Sequence, residues 1–406
     1  MGLLFKDDLL DEFGTWALAY IPYGGPDFGE LAAVGAATGD DGPDAYYEAW
    51  IAAGDRAAAD AEAAASKGRT ADARDLFLRA SVFYNSSFHP IYGAPTDPRL
   101  VAAYRKQIAA MNRGLALFEA PILPLTIAFE GIAMPAYFVP AAGFEHEVRP
   151  LVIFTNGYDG TVTDMYFASA AAASRHGFHS LIFDGPGQGA VLYEQGVPIR
   201  PDWEVVIRAV VDFALELPLV DPARIALNGW SFGGYLATRA ATGEHRIAAL
   251  VADPIQLGLA DGFRSVAVKF GATPEEAADL RRLKPAMIDA FQAFVAGNPS
   301  LQWKIVQRGL WVHGLSTIAD YLAVAEDFTI NGRIGDIRCP VMMTLAERDG
   351  LAAGTNAVAS ELKVPYRIMP FTAAEGAGDH CEMQNRSLLN RRTFEWLDAV
   401  FAGELR

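Results

Sequence analysis

The segment Gly229-Trp230-Ser231-Phe232-Gly233-Gly234 constrains this chain more than any other. It lies between an apolar run, RIALN (224–228), and an Ala-rich stretch that begins YLATRAA. A buried strand that passes through Gly-x-Ser-x-Gly into a helix makes a sharp turn and lifts the serine hydroxyl above the sheet edge. The flanking glycines omit side chains that would strike the neighbouring strand and helix. Such a turn needs a sheet around it, and the chain supplies one. Short Val-, Ile- and Phe-rich runs recur at 151–156, 179–184, 224–229, 247–253, 341–347 and 366–371. Helical stretches at 163–176, 203–217, 232–242 and 352–362 lie between most of them, and a hairpin around Glu130-Gly131 joins 125–129 to 132–139. Buried strands alternating with helices predict an α/β fold with a mostly parallel sheet. Its ligand site then lies at the carboxyl ends of the strands.

Two parts of the chain break this rhythm. Residues 1–120 are helical in texture, with helices expected over 44–67, 70–88 and 97–117; no repeat of fixed period accompanies them. They are expected to form an N-terminal domain, followed by the core at 121–406. Within the core, residues 257–335 are helical without a strong strand and read as an insertion capping the site.

A serine hydroxyl needs a base, and the base an orienting acid. Of seven histidines, His313 and His380 follow Ser231 far enough to leave room for an acid-bearing strand. His380 stands in the Gly-rich loop after the 366–371 run, ahead of a long C-terminal helix, and is the expected base. His313, inside the insertion, is expected to be structural. The 341–347 run ends in Glu347-Arg348-Asp349-Gly350. Asp349 lies past the strand in a loop that can reach His380, so it is favoured over Glu347 as the acid. Asp379 is expected to cap its own loop. Two backbone N–H groups must meet the developing oxyanion. Phe232, next to the nucleophile, supplies one, and Tyr158 in Asn156-Gly157-Tyr158-Asp159-Gly160 is the candidate for the other.

The loop Asp184-Gly185-Pro186-Gly187-Gln188-Gly189 lacks both Gly-x-Gly-x-x-Gly spacing and a following Gly-Lys, so it reads as a fold element and not a phosphate cradle. Asp202, in Arg200-Pro201-Asp202-Trp203-Glu204, reads as a helix N-cap or a residue of the pocket mouth. Asp159, Trp230 and Asp253 are further substrate-pocket candidates; Asp253-Pro254 also reads as a strand-ending turn. Phe83, Tyr84, Phe88 and Tyr92 form an aromatic cluster that either packs the core or stacks on a flat substrate, with Tyr84 the candidate contact.

With 51% hydrophobic residues among 406 there is ample material for a large core. A net charge of −16 argues against nucleic acid and weakly against anionic membranes. Cys339 and Cys381 form no metal or disulfide pattern. No apolar window reaches the ~18 residues of a membrane span. The opening MGLLFKDDLLDEF has no signal-peptide pattern, so the cytoplasm is the expected compartment. A Ser–His–Asp site needs no cofactor or metal.

Together the Asn156–Gly160, Asp184–Gly189, Arg200–Glu204 and Gly229–Gly234 motifs and Glu375-Gly376-Ala377-Gly378-Asp379-His380-Cys381 resemble a branch of the α/β-hydrolase fold. This branch includes the 2,6-dihydroxypseudooxynicotine hydrolases and the fungal heptaketide-shortening hydrolases. The resemblance implies cleavage of a C–C bond next to a ketone in an acylated aromatic, β-dicarbonyl or polyketide-like small molecule. It also implies a pocket between the helical domain and the core, a possible homodimer, and an assisting acid, for which Asp253 and Asp261 are available. A carboxylesterase or acyl-transferring enzyme with the same triad is the alternative, and a non-catalytic ligand-binding protein a third reading.

Overall fold

The structure, a computed structural model, describes residues 2–405. Five helices come first: α1 (Asp8–Gly14), α2 (Phe28–Thr38), α3 (Gly42–Ser66), α4 (Thr70–Ser87) and α5 (Pro98–Leu115). A 3₁₀ segment, Thr15–Tyr23, joins α1 to α2. In α3 the buried residues Tyr46, Ala49, Trp50, Ala53, Ala57, Ala61 and Ala64 recur every three or four positions, the spacing of one helix face. Small residues on that face let α4 approach closely: a Cβ at Gly54 would lie 2.5 Å from the Tyr84 ring. Helix α5 starts where Asp97 accepts a hydrogen bond from the Arg99 N–H and Pro98 occupies the first turn.

An eight-stranded sheet follows, in the order β1-β2-β4-β3-β5-β6-β7-β8. β1 (Pro124–Phe129) and β2 (Ile132–Val139) form the expected hairpin, with Glu130 and Gly131 both at positive φ, as a tight two-residue turn requires. β2 also runs antiparallel to β4 (His179–Phe183). The rest is parallel: β3 (Arg149–Thr155), β5 (Val220–Trp230), β6 (Ala249–Asp253), β7 (Val341–Ala346) and β8 (Tyr366–Phe371). The helix expected over 163–176 instead has three parts, with a wide-turned segment at Tyr166–Ala170 between Val162–Met165 and Ala171–Arg175.

One continuous apolar core joins the first helices to the sheet: Trp50, Phe83 and Tyr104 belong to the same cluster as Val152, Leu227 and Val251. The insertion after β6 has a core of its own, built from Phe291, Val295, Ile305, Tyr321 and Leu322. A bridge between Gly258 and Thr329 brings the two ends of that insertion together. Among the described residues no helix is long and apolar enough to cross a membrane.

Packing is very tight at the centre, where β5, the helix Phe232–Ala241 and β6 meet. A Cβ at Gly234 would lie 2.0 Å from the Pro254 carbonyl oxygen. Gly234→Ala is therefore expected to destabilise the fold by about 1–3 kcal/mol, through overpacking against backbone that cannot swing away. A urea titration reads this as a lower midpoint at unchanged slope.

Candidate active site

Ser231 sits at φ 57° and ψ −132°, between β5 and the helix that starts at Phe232. For a residue with a side chain this conformation costs about 1–3 kcal/mol and must be held by its surroundings. Two backbone groups are engaged. The Ser231 N–H donates to the Asp253 carbonyl at 2.6 Å. Its carbonyl accepts from Gly234 N–H at 2.9 Å and from Gln256 Nε2 at 2.7 Å.

The turn aims Ser231 Oγ at His380 Nε2, 3.0 Å away. On the other side of the ring, His380 Nδ1 lies 2.7 Å from Asp349 Oδ2. Asp349 Oδ1 accepts from the Leu351 N–H at 2.9 Å, which fixes the carboxylate. Glu347 faces away, its Oε2 accepting from Ala373 N–H. Asp379 accepts from Gln384 N–H, inside its own loop. Burial works against a charged His380, but the hydrogen bond and charge of Asp349 outweigh it and hold the imidazole above its ordinary value of 6.5.

Below the turn, Asp253 and Arg386 form an ion pair at 2.8 Å, each side chain 2% exposed. Thr344 donates to the other Asp253 oxygen, and Arg386 also donates to the Cys381 carbonyl. Burial, reinforced by the Asp253 charge, pushes the Glu382 carboxyl well above the usual carboxylate range. Removing one partner of such a buried pair costs about 3–5 kcal/mol. Cys381 and Glu382 both have positive φ, and this kink brings Cys381 Sγ to 3.1 Å from Ser231 N. Burial raises the thiol, which stays protonated.

The loop after β3 covers the serine. A Cβ at Gly157 would fall 2.8 Å from Phe232 N and 3.2 Å from Ser231 Oγ, so only glycine leaves room there. Gln188, from the Gly-rich loop after β4, donates to the carbonyls of Asn156 and Gly157 at 2.7 and 3.2 Å. The Tyr158 ring lies flat on the Phe232 ring, 4.4 Å between centroids.

A pocket of about 300 Å³ opens on Ser231. Trp16, Asp159, Trp230, His380, Cys381 and Met383 are among its walls. The other pocket candidates lie elsewhere. Asp202 caps no helix by its side chain and is paired with Arg200 at 2.7 Å. Tyr84 donates to Asp55 at 2.7 Å between α3 and α4. Phe83 packs on Trp50, and Phe88 and Tyr92 on Tyr193, which makes that cluster core packing. Asp253 is buried beneath the turn, and Asp261 is paired with Arg264. Trp16 was not anticipated, because its irregular 3₁₀ segment has no periodicity to read. Among the described residues no group of three His, Cys, Asp or Glu is placed to hold a metal ion.

The sequence matches the alpha/beta hydrolase family over residues 138–387. It is 30% identical to the 20-hydroxy-prefusarin hydrolase FUS2 of Gibberella moniliformis, over 99% of both chains. It is also 30% identical to the hydrolase acrC of Aspergillus aculeatus, over 95% of this chain and 94% of that one. Among solved structures, 2,6-dihydroxy-pseudo-oxynicotine hydrolase superposes with a TM-score of 0.72 at 18% identity, covering 94% of this chain and 95% of its own. That last likeness is one of fold.

A base held above 6.5 is neutral only at higher pH. The kcat/KM of the wild type is thus expected to rise with pH through an inflection above 6.5. Asp349→Asn is expected to move that inflection down and to cut kcat on the order of 10⁴-fold. A pH–rate profile of both proteins checks this.

Proposed function

The chain belongs to the alpha/beta hydrolase family, and from that premise we propose that it is a serine hydrolase that cleaves the C–C bond next to a ketone in an acylated aromatic, β-dicarbonyl or polyketide-like substrate. The observation that carries this reading is the continuous relay from Ser231 Oγ through His380 to Asp349, at 3.0 and 2.7 Å. His380 Nε2 takes the Ser231 proton as Oγ attacks the ketone carbon. The resulting oxyanion is met by the N–H groups of Phe232 and Tyr158. Collapse breaks the C–C bond, and the carbon leaving group takes the proton from His380. Water activated by the same base then frees the acyl group. Asp349 fixes the imidazole and offsets its charge in both halves.

The choice of bond rests on the five motifs shared with the C–C-cleaving branch. Similarity to a protein named 20-hydroxy-prefusarin hydrolase supports the hydrolase reading. The flat walls of Trp16 and Trp230 suit an aromatic or conjugated group.

The test is a paired assay of a β-diketone and a p-nitrophenyl ester with wild type, Ser231→Ala and His380→Ala. The expected result is diketone cleavage that falls at least about 10³-fold in each variant. Ester turnover without diketone cleavage would leave a carboxylesterase. Undiminished turnover in Ser231→Ala would overturn the serine mechanism.

A further inference from the structure

The loop after β3 is gripped from two directions. On the core side Gln188 holds the carbonyls of Asn156 and Gly157. On the other side the partners come from the insertion after β6. Arg308 Nη1 meets Asp159 Oδ2 at 2.7 Å, with the two side chains 16% and 9% exposed. The same guanidinium lies over the Tyr158 ring at 4.8 Å and over the Trp303 ring at 5.1 Å. The Tyr158 hydroxyl is 2.8 Å from His313 Nε2. Burial, aided by the Arg308 charge, pushes His313 down to about 3, so the ring is neutral and shares a hydrogen bond with the Tyr158 hydroxyl.

We infer that Arg308 and His313 are positioning residues: the insertion holds Tyr158 and Asp159 in place and thereby assembles the oxyanion hole. This rests on the serine-hydrolase reading above. Tyr158 and Phe232, whose N–H groups would meet the oxyanion, are stacked ring on ring with an interplanar angle of 9°. His313 packs edge-on against Phe328 at 4.7 Å, and Phe328 lies 5.9 Å from Phe232. Both halves of the hole thus lean on the insertion. Because the pair is buried, losing one partner is costly. With Arg308 gone, the Asp159 carboxylate is left without its partner in a desolvated place, and the short loop that carries it must shift toward water. A donor displaced by about 1 Å loses most of its value to a transition state, while substrate affinity changes little. The insertion is therefore part of the catalytic geometry and not only a cover.

The experiment uses the full chain as wild type, Ser231→Ala, Arg308→Gln, Arg308→Lys and Tyr158→Phe. For each, kcat and KM on a p-nitrophenyl ester, the inhibition constant of an aryl trifluoromethyl ketone, and the thermal midpoint are measured. The ketone forms a hemiketal oxyanion and reports on the hole directly. Arg308→Gln is expected to lower kcat about 10–100-fold with KM within about threefold, and to weaken the ketone by the same factor as kcat/KM. Arg308→Lys keeps the charge and should recover part of the loss. Tyr158→Phe keeps the ring and the backbone N–H and should lose about 3–10-fold in kcat. If Arg308→Gln fails to fold, Tyr158→Phe decides by the same readouts. Wild-type kcat and ketone affinity in the folded variants, or a loss confined to KM, would overturn the inference while leaving the serine mechanism standing. Wild-type turnover in Ser231→Ala would remove the mechanism itself, and the inference with it.

Discussion

The site depends on one strained residue. Ser231 holds a positive φ that only glycine adopts freely, and it can do so because β5, the following helix and β6 meet at backbone contact. Cβ atoms at Gly229, Gly233 and Gly234 would each fall within 2.5 Å of a carbonyl oxygen, of Gly233, Thr155 and Pro254 respectively. The glycines let the strands close in, and the closed strands place the Asp253 carbonyl where it fixes Ser231 N–H. The strain at Ser231 is thus offset by a hydrogen bond to the adjacent strand.

That same strand end anchors His380. Asp253 binds Arg386, Arg386 binds the Cys381 carbonyl, and Cys381 follows His380 in the chain. The histidine loop and the serine turn are therefore tied through a buried ion pair as well as through the imidazole. The loop after β3 completes the set, tied to the core by Gln188 and to the insertion by Arg308 and His313. Four separate stretches of chain converge on the pocket that opens on Ser231.

What the sequence made legible follows from locality. The strands carry compact apolar runs, and Ser231, Asp349 and His380 each stand in a turn past a strand end, where Gly-rich spacing marks them. Gln188 fits the same pattern, since its loop was expected to be a fold element. Contacts that span the chain left no such mark. Arg308 and Asp159 are 149 positions apart, and His313 and Tyr158 are 155 apart. No periodicity in the helical insertion points to either pairing. The helix-opening motif around Asp202 and the aromatic cluster around Tyr84 point toward the pocket, but local partners claim both. Arg200, two residues away, claims Asp202, and Asp55 claims Tyr84.

The central claim is that Ser231 is a nucleophile activated by His380. It is tested most directly by exposing wild type and His380→Ala to a fluorophosphonate probe and locating the modified peptide by mass spectrometry. The account predicts one label, on Ser231, that is lost in a folded His380→Ala protein. Labelling of another residue, or equal labelling of Ser231 in both proteins, would contradict it.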